Sequence, residues 1–387
     1  MESEFNRIVE ECRIAVEDPE YPAVHEWLSD HPGGKVLGHF QVYFPEEIAH
    51  AAGMLPLKMM GFDSSVPVRE ADAHIAAFVC SILRTSLEQA LSGRLDFLSM
   101  YVTTPICDAA RHISGVWTRR FPDMSCQILY LPQNADSSHA PAYLLAEYRR
   151  IAGIIEVITG TPITDESLRA SLKLFNENRA LLRELYRIRR ETPWQVGLTE
   201  SYLLMASAGA MPRERHNELL GRALEIIRSR DNKAQDKIRV VFEGGYCEQP
   251  PIEMLSVLQD VAYVVDDDFM IGLRWLTEDV PTVGDPMQNL AVAYLEGSSY
   301  SSVQRDPRKP KEEMLLKRIR ESHAEAAIVA APKMCEPGLE EQVAHDAALA
   351  AAGFPHLIME FEEKTANFEQ ARMEFETFAE SLLFDFV

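Results

Sequence analysis

Basic side chains are scarce in this chain. Against 60 Asp and Glu stand 38 Lys and Arg in 387 residues, a formal charge of −22. With a pI near 4.9, the summed field repels phosphate and argues against general nucleic-acid or anionic-membrane binding. An anionic ligand must then be received at a local basic site. No apolar run approaches the ~18–20 residues that span a bilayer. The start, Met1-Glu2-Ser3-Glu4, lacks the positive-then-apolar order of a signal peptide, so a cytoplasmic location with reduced cysteines is expected. Also missing are a Gly-x-x-x-x-Gly-Lys-Ser/Thr loop, a Gly-x-Gly-x-x-Gly turn, a Gly-x-Ser-x-Gly elbow and any Cys-x-x-Cys pair. These absences close the usual routes to ATP phosphates, dinucleotides and the hydrolase nucleophile. Any ATP that the function consumes is expected to be hydrolysed by another chain. His25-Glu26 with His31 misses the i, i+4 spacing of a helical zinc protease and reads as surface.

What is present is a globular composition, 47% hydrophobic, in a length that a prior of roughly 150 residues per domain divides into two or three domains. Three stretches repeat one pattern of apolar run, cysteine-bearing turn, helical spacing and second apolar run. The first runs from 95–102 through Cys107 and 108–117 to 127–131. The second runs from 238–242 through Cys247 and a helix from about Pro251 to 261–265. The third runs from 326–330 through Cys335 and 339–352 to 357–361. Each is a βαβ unit, and the continuous apolar runs suit strands buried on both faces of a parallel sheet. Between them, about 143–230 carries helical spacing with almost no strand signal, and 367–386 reads as one more amphipathic helix. The expected organisation is an α/β lobe over 1–140, a helical segment over 141–232 and a second α/β lobe over 233–387.

In open α/β sheets ligands sit beyond the carboxyl ends of the strands, where Cys107, Cys247 and Cys335 all fall. A thiolate just before a helix is favoured by the terminal partial charge and by free peptide N–H groups. Cys80 differs, lying inside an apparently helical stretch over 75–91. Single cysteines gathered from distant turns suit soft-metal ligation, above all an iron–sulfur cluster, with tetrahedral zinc as another choice. The competing reading is burial as small hydrophobes, which is how Cys12 and Cys126 read from their helix and strand contexts.

Several segments in order along the chain resemble the 2-hydroxyacyl-CoA dehydratase and benzoyl-CoA reductase family. They are Gly38-His39-Phe40-Gln41-Val42-Tyr43-Phe44-Pro45-Glu46-Glu47-Ile48, then Ala51 to Pro56, Phe78-Val79-Cys80 and Thr104-Pro105-Ile106-Cys107-Asp108. Further on come Val264 to Asp268 with Gly272 and Arg274, and Lys333-Met334-Cys335-Glu336-Pro337. The resemblance implies two flavodoxin-like lobes, each a doubly wound parallel sheet, with a helical insert between them. It implies one 4Fe–4S cluster held by Cys80, Cys107 and Cys335, with an open or non-cysteine fourth position; Cys247 matches no ligand position of the family. Length and character look closest to the smaller catalytic subunits of ATP-dependent benzoyl-CoA reductases. That implies two-electron reduction of benzoyl-CoA to cyclohexa-1,5-diene-1-carbonyl-CoA with ferredoxin as donor. The implied partners are a homologous cluster-bearing subunit and ATP-hydrolysing activator subunits. A 2-hydroxyacyl-CoA dehydratase component, or a relay subunit whose cluster never meets substrate, are the alternatives.

Pocket candidates each carry two readings. Glu46 and Glu47 follow Pro45 at a helix start, where they either compensate the helix dipole or reach substrate or a proton relay. Gln41 and Tyr43 precede them; Tyr43 either stacks on an arene or packs in the lobe. His39 is a proton donor or a satisfied structural histidine. Asp266, Asp267 and Asp268 form part of a substrate crevice or a solvated turn. The basic run Arg305, Arg308, Lys309, Lys311, Lys317, Arg318 and Arg320 would bind coenzyme A phosphates, with Arg308, Lys309 and Lys311 foremost, or else is a solvated helix surface.

Overall fold

Residues 1–40, 43–61, 66–244, 247–301, 303–362 and 367–385 are described by a computed structural model. Two helices open the chain, α1 (Glu2–Glu17) and α2 (Pro22–Asp30), followed by β1 (Lys35–His39), α3 (Glu46–Ala51) and β2 (Met54–Lys58). Next come α4 (Ser81–Leu91), β3 (Leu98–Thr103), α5 (Asp108–Arg120) and β4 (Ser125–Ile128). The order of the first sheet is β2-β1-β3-β4, and its pairings are parallel.

From 140 to 229 the regular structure is helical: α6 (Ala140–Thr159), α7 (Asp165–Glu191), α8 (Leu198–Ala206) and α9 (Arg213–Ser229). Thr164 caps α7 by a reciprocal exchange with Ser167, which satisfies N–H groups that the first turn leaves open. The second sheet follows as β5 (Ile238–Glu243), α10 (Ile252–Val261), β6 (Ala262–Asp267), α11 (Pro286–Gly297) and α12 (Lys311–Ser322). It is completed by β7 (Ala326–Pro332), α13 (Glu336–Ala351) and β8 (His356–Phe361), and α14 (Glu369–Asp385) ends the described chain. Its order, β6-β5-β7-β8, repeats that of the first sheet position for position, again with parallel pairings.

This order is that of the flavodoxin-like doubly wound sheet, whose ligand site lies where neighbouring strands send their chains to opposite faces. That point falls between β1 and β3 in the first lobe and between β5 and β7 in the second. Apolar residues cover both faces of each sheet. One core joins the first sheet to α6, α11 and the start of α7; another joins the second sheet to α1, the end of α7 and α8 to α10. The helices of 140–229 thus complete the cores of both lobes, and α7 runs from one to the other. None of the described helices is long and apolar enough to cross a membrane.

Two strands, β1 and β2, lie outside the sequence expectation. β2 contains Pro56 and ends at Lys58, and it is an edge strand, where a proline removes no ladder hydrogen bond. The stretch expected as one helix over 75–91 is interrupted: a short 3-10 turn at Ala71–Ala73 comes first and the helix begins only at Ser81.

Candidate metal centre and the adjoining ion-pair network

Each of the three cysteines singled out as ligands stands at the residue preceding a helix: Cys80 before α4, Cys107 before α5 and Cys335 before α13. The first-turn peptide N–H groups lie on the side of these sulfurs, and one of them bonds to Cys107. Ala110 donates to Cys107 Sγ at 3.4 Å, and the N–H groups of Leu83 and Gly338, three residues on, lie near the Cys80 and Cys335 sulfurs without capping them. Such donors stabilise a thiolate without bringing a side-chain cation. Gly338 packs closely here: a Cβ on it would lie 3.3 Å from Cys335 Sγ, a tight contact. Met334, just before Cys335, has φ +62°, a left-handed turn that costs a methionine about 1–3 kcal/mol. The Cys335 N–H to Pro332 carbonyl bond of 3.2 Å holds this turn and aims the cysteine off the end of β7.

Cys247, read from sequence as outside the ligand set, lies in the same group. It leaves the end of β5, the strand beside β7, and its thiol lies beside the Cys335 sulfur. Every pair among Cys80, Cys107, Cys247 and Cys335 is within electrostatic reach. Burial and the neighbouring Glu248 carboxylate push the Cys80 thiol well up, and burial raises Cys107. The closeness of the two thiols lowers Cys335 and raises Cys247. Cys80 and Cys107 come from the first lobe and Cys247 and Cys335 from the second, so the sulfurs meet where the two ligand-binding ends face each other. Cys12 and Cys126 stay apart, the first buried in α1 and the second half-buried in β4.

Among the described residues, no group of three or more His, Cys, Asp or Glu side chains could hold a metal ion as arranged. That constrains a mononuclear site, where bonds of about 2.3 Å place sulfurs about 3.8 Å apart. Ligands of an iron–sulfur cluster bind different irons and stand wider. Sulfur donors gathered from both lobes are the residue type that suits a soft iron–sulfur centre.

Beside this group lies a buried network built on the expected pocket residues. His39, at the end of β1, shares a 2.8 Å hydrogen bond with Glu46 Oε1. Burial holds His39 below its ordinary value, so the ring is a neutral Nε2–H donor to the carboxylate. Glu46 also receives Arg213 of α9, and Glu47 receives Arg179 of α7. Burial alone would raise Glu46, but Arg213 and His39 bring it down to about 2. Arg213 continues to Asn178 Oδ1 at 2.9 Å, and Asn178 to His216 Nδ1 at 2.7 Å. Neither glutamate caps α3 through its side chain; both are instead bound to helices more than a hundred residues away, at sequence separations of 167 and 132.

Tyr43 is buried against Tyr294, ring centroids 5.1 Å apart, and Trp275 stacks on Tyr294 at 5.9 Å. This aromatic wall adjoins Thr104, Pro105 and Ile106, the approach to Cys107, around a cavity of about 10 Å³. A second cavity of about 30 Å³ separates Tyr43 from Arg179 and Arg213. Each is on the scale of one water molecule. A larger cavity, about 700 Å³, lies at the far end of the second sheet among Trp194, Arg230, Lys237 and Tyr263, away from the strand ends that carry the cysteines. Gln41 lies outside the described residues.

The remaining candidates are tied within the chain. Asp266 meets Arg190 at 2.6 Å, Asp267 meets Arg274 at 3.0 Å, and Asp268 accepts the Gly244 N–H at 2.9 Å. All three aspartates are buried, so the solvated-turn reading gives way to a clamp on the end of β6. Arg308 is held by Asp306 at 2.8 Å and Glu296 at 3.0 Å, Lys309 by Ser298 Oγ at 2.6 Å, and Lys311 by Glu341 at 3.4 Å. Arg318 is paired with Glu243 at 2.5 Å. These cations are already matched and do not form a cradle of unmatched charge.

Sequence reasoning passed over Arg179, Arg213 and Asn178. One signal was legible: Phe175, Asn178, Arg179 and Leu182 share a face of α7, so polar groups stand at positions of a buried stripe.

Residues 41–382 match the 2-hydroxyglutaryl-CoA dehydratase, D-component family. A benzoyl-CoA reductase subunit of Thauera aromatica is 36% identical over 97% of this chain and 98% of its own. The (R)-phenyllactyl-CoA dehydratase beta subunit of Clostridium sporogenes is 28% identical over 90% of this chain and 92% of its own. The (R)-2-hydroxyglutaryl-CoA dehydratase beta subunit of Acidaminococcus fermentans is 28% identical over 90% and 93%, respectively. Two matching parallel sheets, cysteines meeting at their facing ends and a match over nearly the whole length together make this chain a member of the 2-hydroxyglutaryl-CoA dehydratase D-component family, which takes in subunits of acyl-CoA dehydratases and of benzoyl-CoA reductase.

Proposed function

We propose that this chain is the smaller, cluster-bearing catalytic subunit of an ATP-dependent benzoyl-CoA reductase. The reaction adds two electrons and two protons to benzoyl-CoA and yields cyclohexa-1,5-diene-1-carbonyl-CoA, with reduced ferredoxin as donor. ATP hydrolysis falls to activator subunits, in keeping with the missing phosphate-binding loop. The observation that carries this reading is the meeting of Cys80, Cys107 and Cys335 from two lobes, joined to 36% identity with a reductase subunit along the full chain.

Cys80, Cys107 and Cys335 would hold a 4Fe–4S cluster, which when bound supplies low-potential electrons one at a time. The chain's own residues exclude water and hold position. Tyr43, Trp275 and Tyr294 form an apolar wall beside the Cys107 turn. Glu46 and Glu47, locked by Arg213 and Arg179, hold the start of α3 and with it the segment carrying Tyr43. Burial raises the Tyr43 hydroxyl and keeps it protonated, so it is available as a hydrogen-bond donor. The cavities beside Tyr43, about 10 and 30 Å³, are too small for a benzoyl ring, and the cavity of about 200 Å³ lined by Trp27, Glu46, His50 and Arg213 touches none of the cysteine turns, which favours an arene seated at the face shared with the homologous partner subunit. Coenzyme A phosphates on Arg308, Lys309 and Lys311 would have to displace Asp306, Glu296 and Glu341.

The second reading, a 2-hydroxyacyl-CoA dehydratase component, is supported by the dehydratase relatives at 28% identity. Incubating the reconstituted complex with ATP and a low-potential donor separates the two. Dienoyl-CoA formed from benzoyl-CoA supports reduction. Loss of water from a 2-hydroxyacyl-CoA, with benzoyl-CoA returned unchanged, would overturn it.

A further inference from the structure

The cavity of about 700 Å³ at the amino ends of β5 and β6 falls within the range of small-molecule sites, about 300–1,000 Å³. Its walls come from the turn Pro193–Gln195 after α7, the start of β6 at 262–264, and the segment 230–237 that leads from α9 into β5. That segment has no regular secondary structure, yet it is tied to the other two walls. Arg230 donates to the Gln195 carbonyl at 2.7 Å, Asn232 to the Trp194 carbonyl at 3.2 Å, and the Gln235 N–H to the Tyr263 hydroxyl at 2.8 Å. The rim is a built one.

Three features of the wall describe a ligand. Trp194 and Tyr263, both half-buried, meet edge to face with centroids 6.5 Å apart, an aromatic corner on which a planar group can stack. Gln195 Oε1 is buried and accepts no hydrogen bond, so a ligand N–H would satisfy it. Lys237 Nζ donates to the Gln259 carbonyl at 2.5 Å and lies 5.6 Å from the Tyr263 centroid, and no carboxylate pairs with it among the described residues. The acids of the wall are already engaged: Glu2 and Glu200 by Arg230 at 2.9 and 3.4 Å, and Asp260 by Arg372 at 3.3 Å. Unlike Arg308, Lys309 and Lys311, Lys237 therefore offers an unmatched positive charge to an anion.

We propose that this cavity binds an adenine nucleotide, with the base against Trp194 and Tyr263, its amine on Gln195 and its phosphates toward Lys237. A side-chain amide pairs with adenine through the exocyclic amine and the neighbouring ring nitrogen, whereas hypoxanthine puts a carbonyl in the amine's place. With one lysine for the phosphates and no phosphate-binding loop, the base carries most of the affinity. The site lies at the opposite end of the second sheet from the cysteine turns, so the nucleotide takes no part in chemistry there. It stands whether the complex reduces an arene or removes water.

Calorimetric titration of the full chain with ADP, ATP, adenosine, inosine diphosphate and coenzyme A tests the proposal, with circular dichroism as a check on folding. ADP is expected to bind once per chain, and inosine diphosphate about tenfold more weakly. Trp194→Ala is expected to weaken ADP by about tenfold or more. Lys237→Met is expected to weaken ADP by about fivefold and to leave adenosine unchanged. ADP or ATP bound more tightly than coenzyme A supports a free nucleotide as occupant; the reverse order supports the same site filled by the adenosine end of the coenzyme. No binding of any adenine compound at about 1 mM, or ADP affinity unchanged in both variants, overturns the proposal. If Trp194→Ala does not fold, wild type decides: equal affinity for ADP and inosine diphosphate overturns it, and a clear preference for ADP upholds it.

Discussion

Around the start of α3, Glu46 and Glu47 meet Arg213 and Arg179, whereas at the turns after β3, β5 and β7 the acids chiefly meet one another. Both groups are buried and both join distant parts of the chain. The first is neutralised from within, each carboxylate matched by a guanidinium and the remaining donors passed on to Asn178 and Asn176. In the second, thiols lie among the carboxylates of Glu248, Glu336 and Glu341, with peptide N–H groups and the buried Lys58 as their opposing partners. A matched buried pair holds a structure together, because removing one partner strands the other charge. A set of acids brought together by two lobes suits a cationic guest, and thiols select a soft one.

The largest expected effect sharpens the second half of this comparison. Cys80→Ser, Cys107→Ser and Cys335→Ser should each abolish or convert the bound cluster. Activity of the reconstituted complex should fall beyond the ~100-fold that loss of an outer-shell partner costs a metal site. Iron analysis beside product assay checks this, and full iron in any one of the three would remove that residue from the set.

The next prediction breaks the first half. Arg213→Met leaves the Glu46 charge buried, and Arg179→Met does the same to Glu47. Each should lower stability by about 3–5 kcal/mol in urea unfolding. Losses below about 1 kcal/mol would mean that the network does not clamp the start of α3.

Acid should act on the same network. Glu46 has its folded value lowered to about 2, so its stabilisation is complete above the unfolded value of 4.5 and fades as pH falls through about 2. A shift of that size is worth about 3 kcal/mol. His216, buried and lowered to about 3, adds to the loss on acidification, because only the unfolded chain takes up its proton between 6.5 and about 3. Stability curves against pH should therefore flatten in Glu46→Gln below pH 4.5, and an unchanged slope would count against the pairing.

The smallest effect is expected at Arg308. With Asp306 and Glu296 already holding it, Arg308→Ala should change KM for benzoyl-CoA by less than about fivefold, under about 1 kcal/mol. A rise well above tenfold would return the coenzyme phosphates to this run.

Much of the fold was legible because buried parallel strands announce themselves as continuous apolar runs closed by turn residues, as at 238–242 and 326–330. β1 and β2 were not, since Gly38, Pro56 and Lys58 break the strand signal. Cys107 and Cys335 could be placed at strand ends from their own neighbours. Cys80 could not, because the periodicity of 75–91 conceals the break before Ser81. Glu46 and Glu47 offered capping or substrate contact as readings, and neither anticipates partners drawn from α7 and α9.

What the amino-acid sequence determined by itself is local: apolar runs that must be buried, turns that end them, and cysteines set where helices begin. Tertiary structure alone decided which turns face each other. Two sheets of the same strand order each point their ligand-binding end at the other, and this brings Cys247 to Cys335 and both toward Cys80 and Cys107. The same packing turned two acidic residues at a helix start into ion pairs with the helices that join the lobes. The reason is reach: turn and helix-cap hydrogen bonds and the periodicity of burial act over a few residues of chain, whereas a buried charge or thiol takes its meaning from whatever the fold sets within a few ångströms of it.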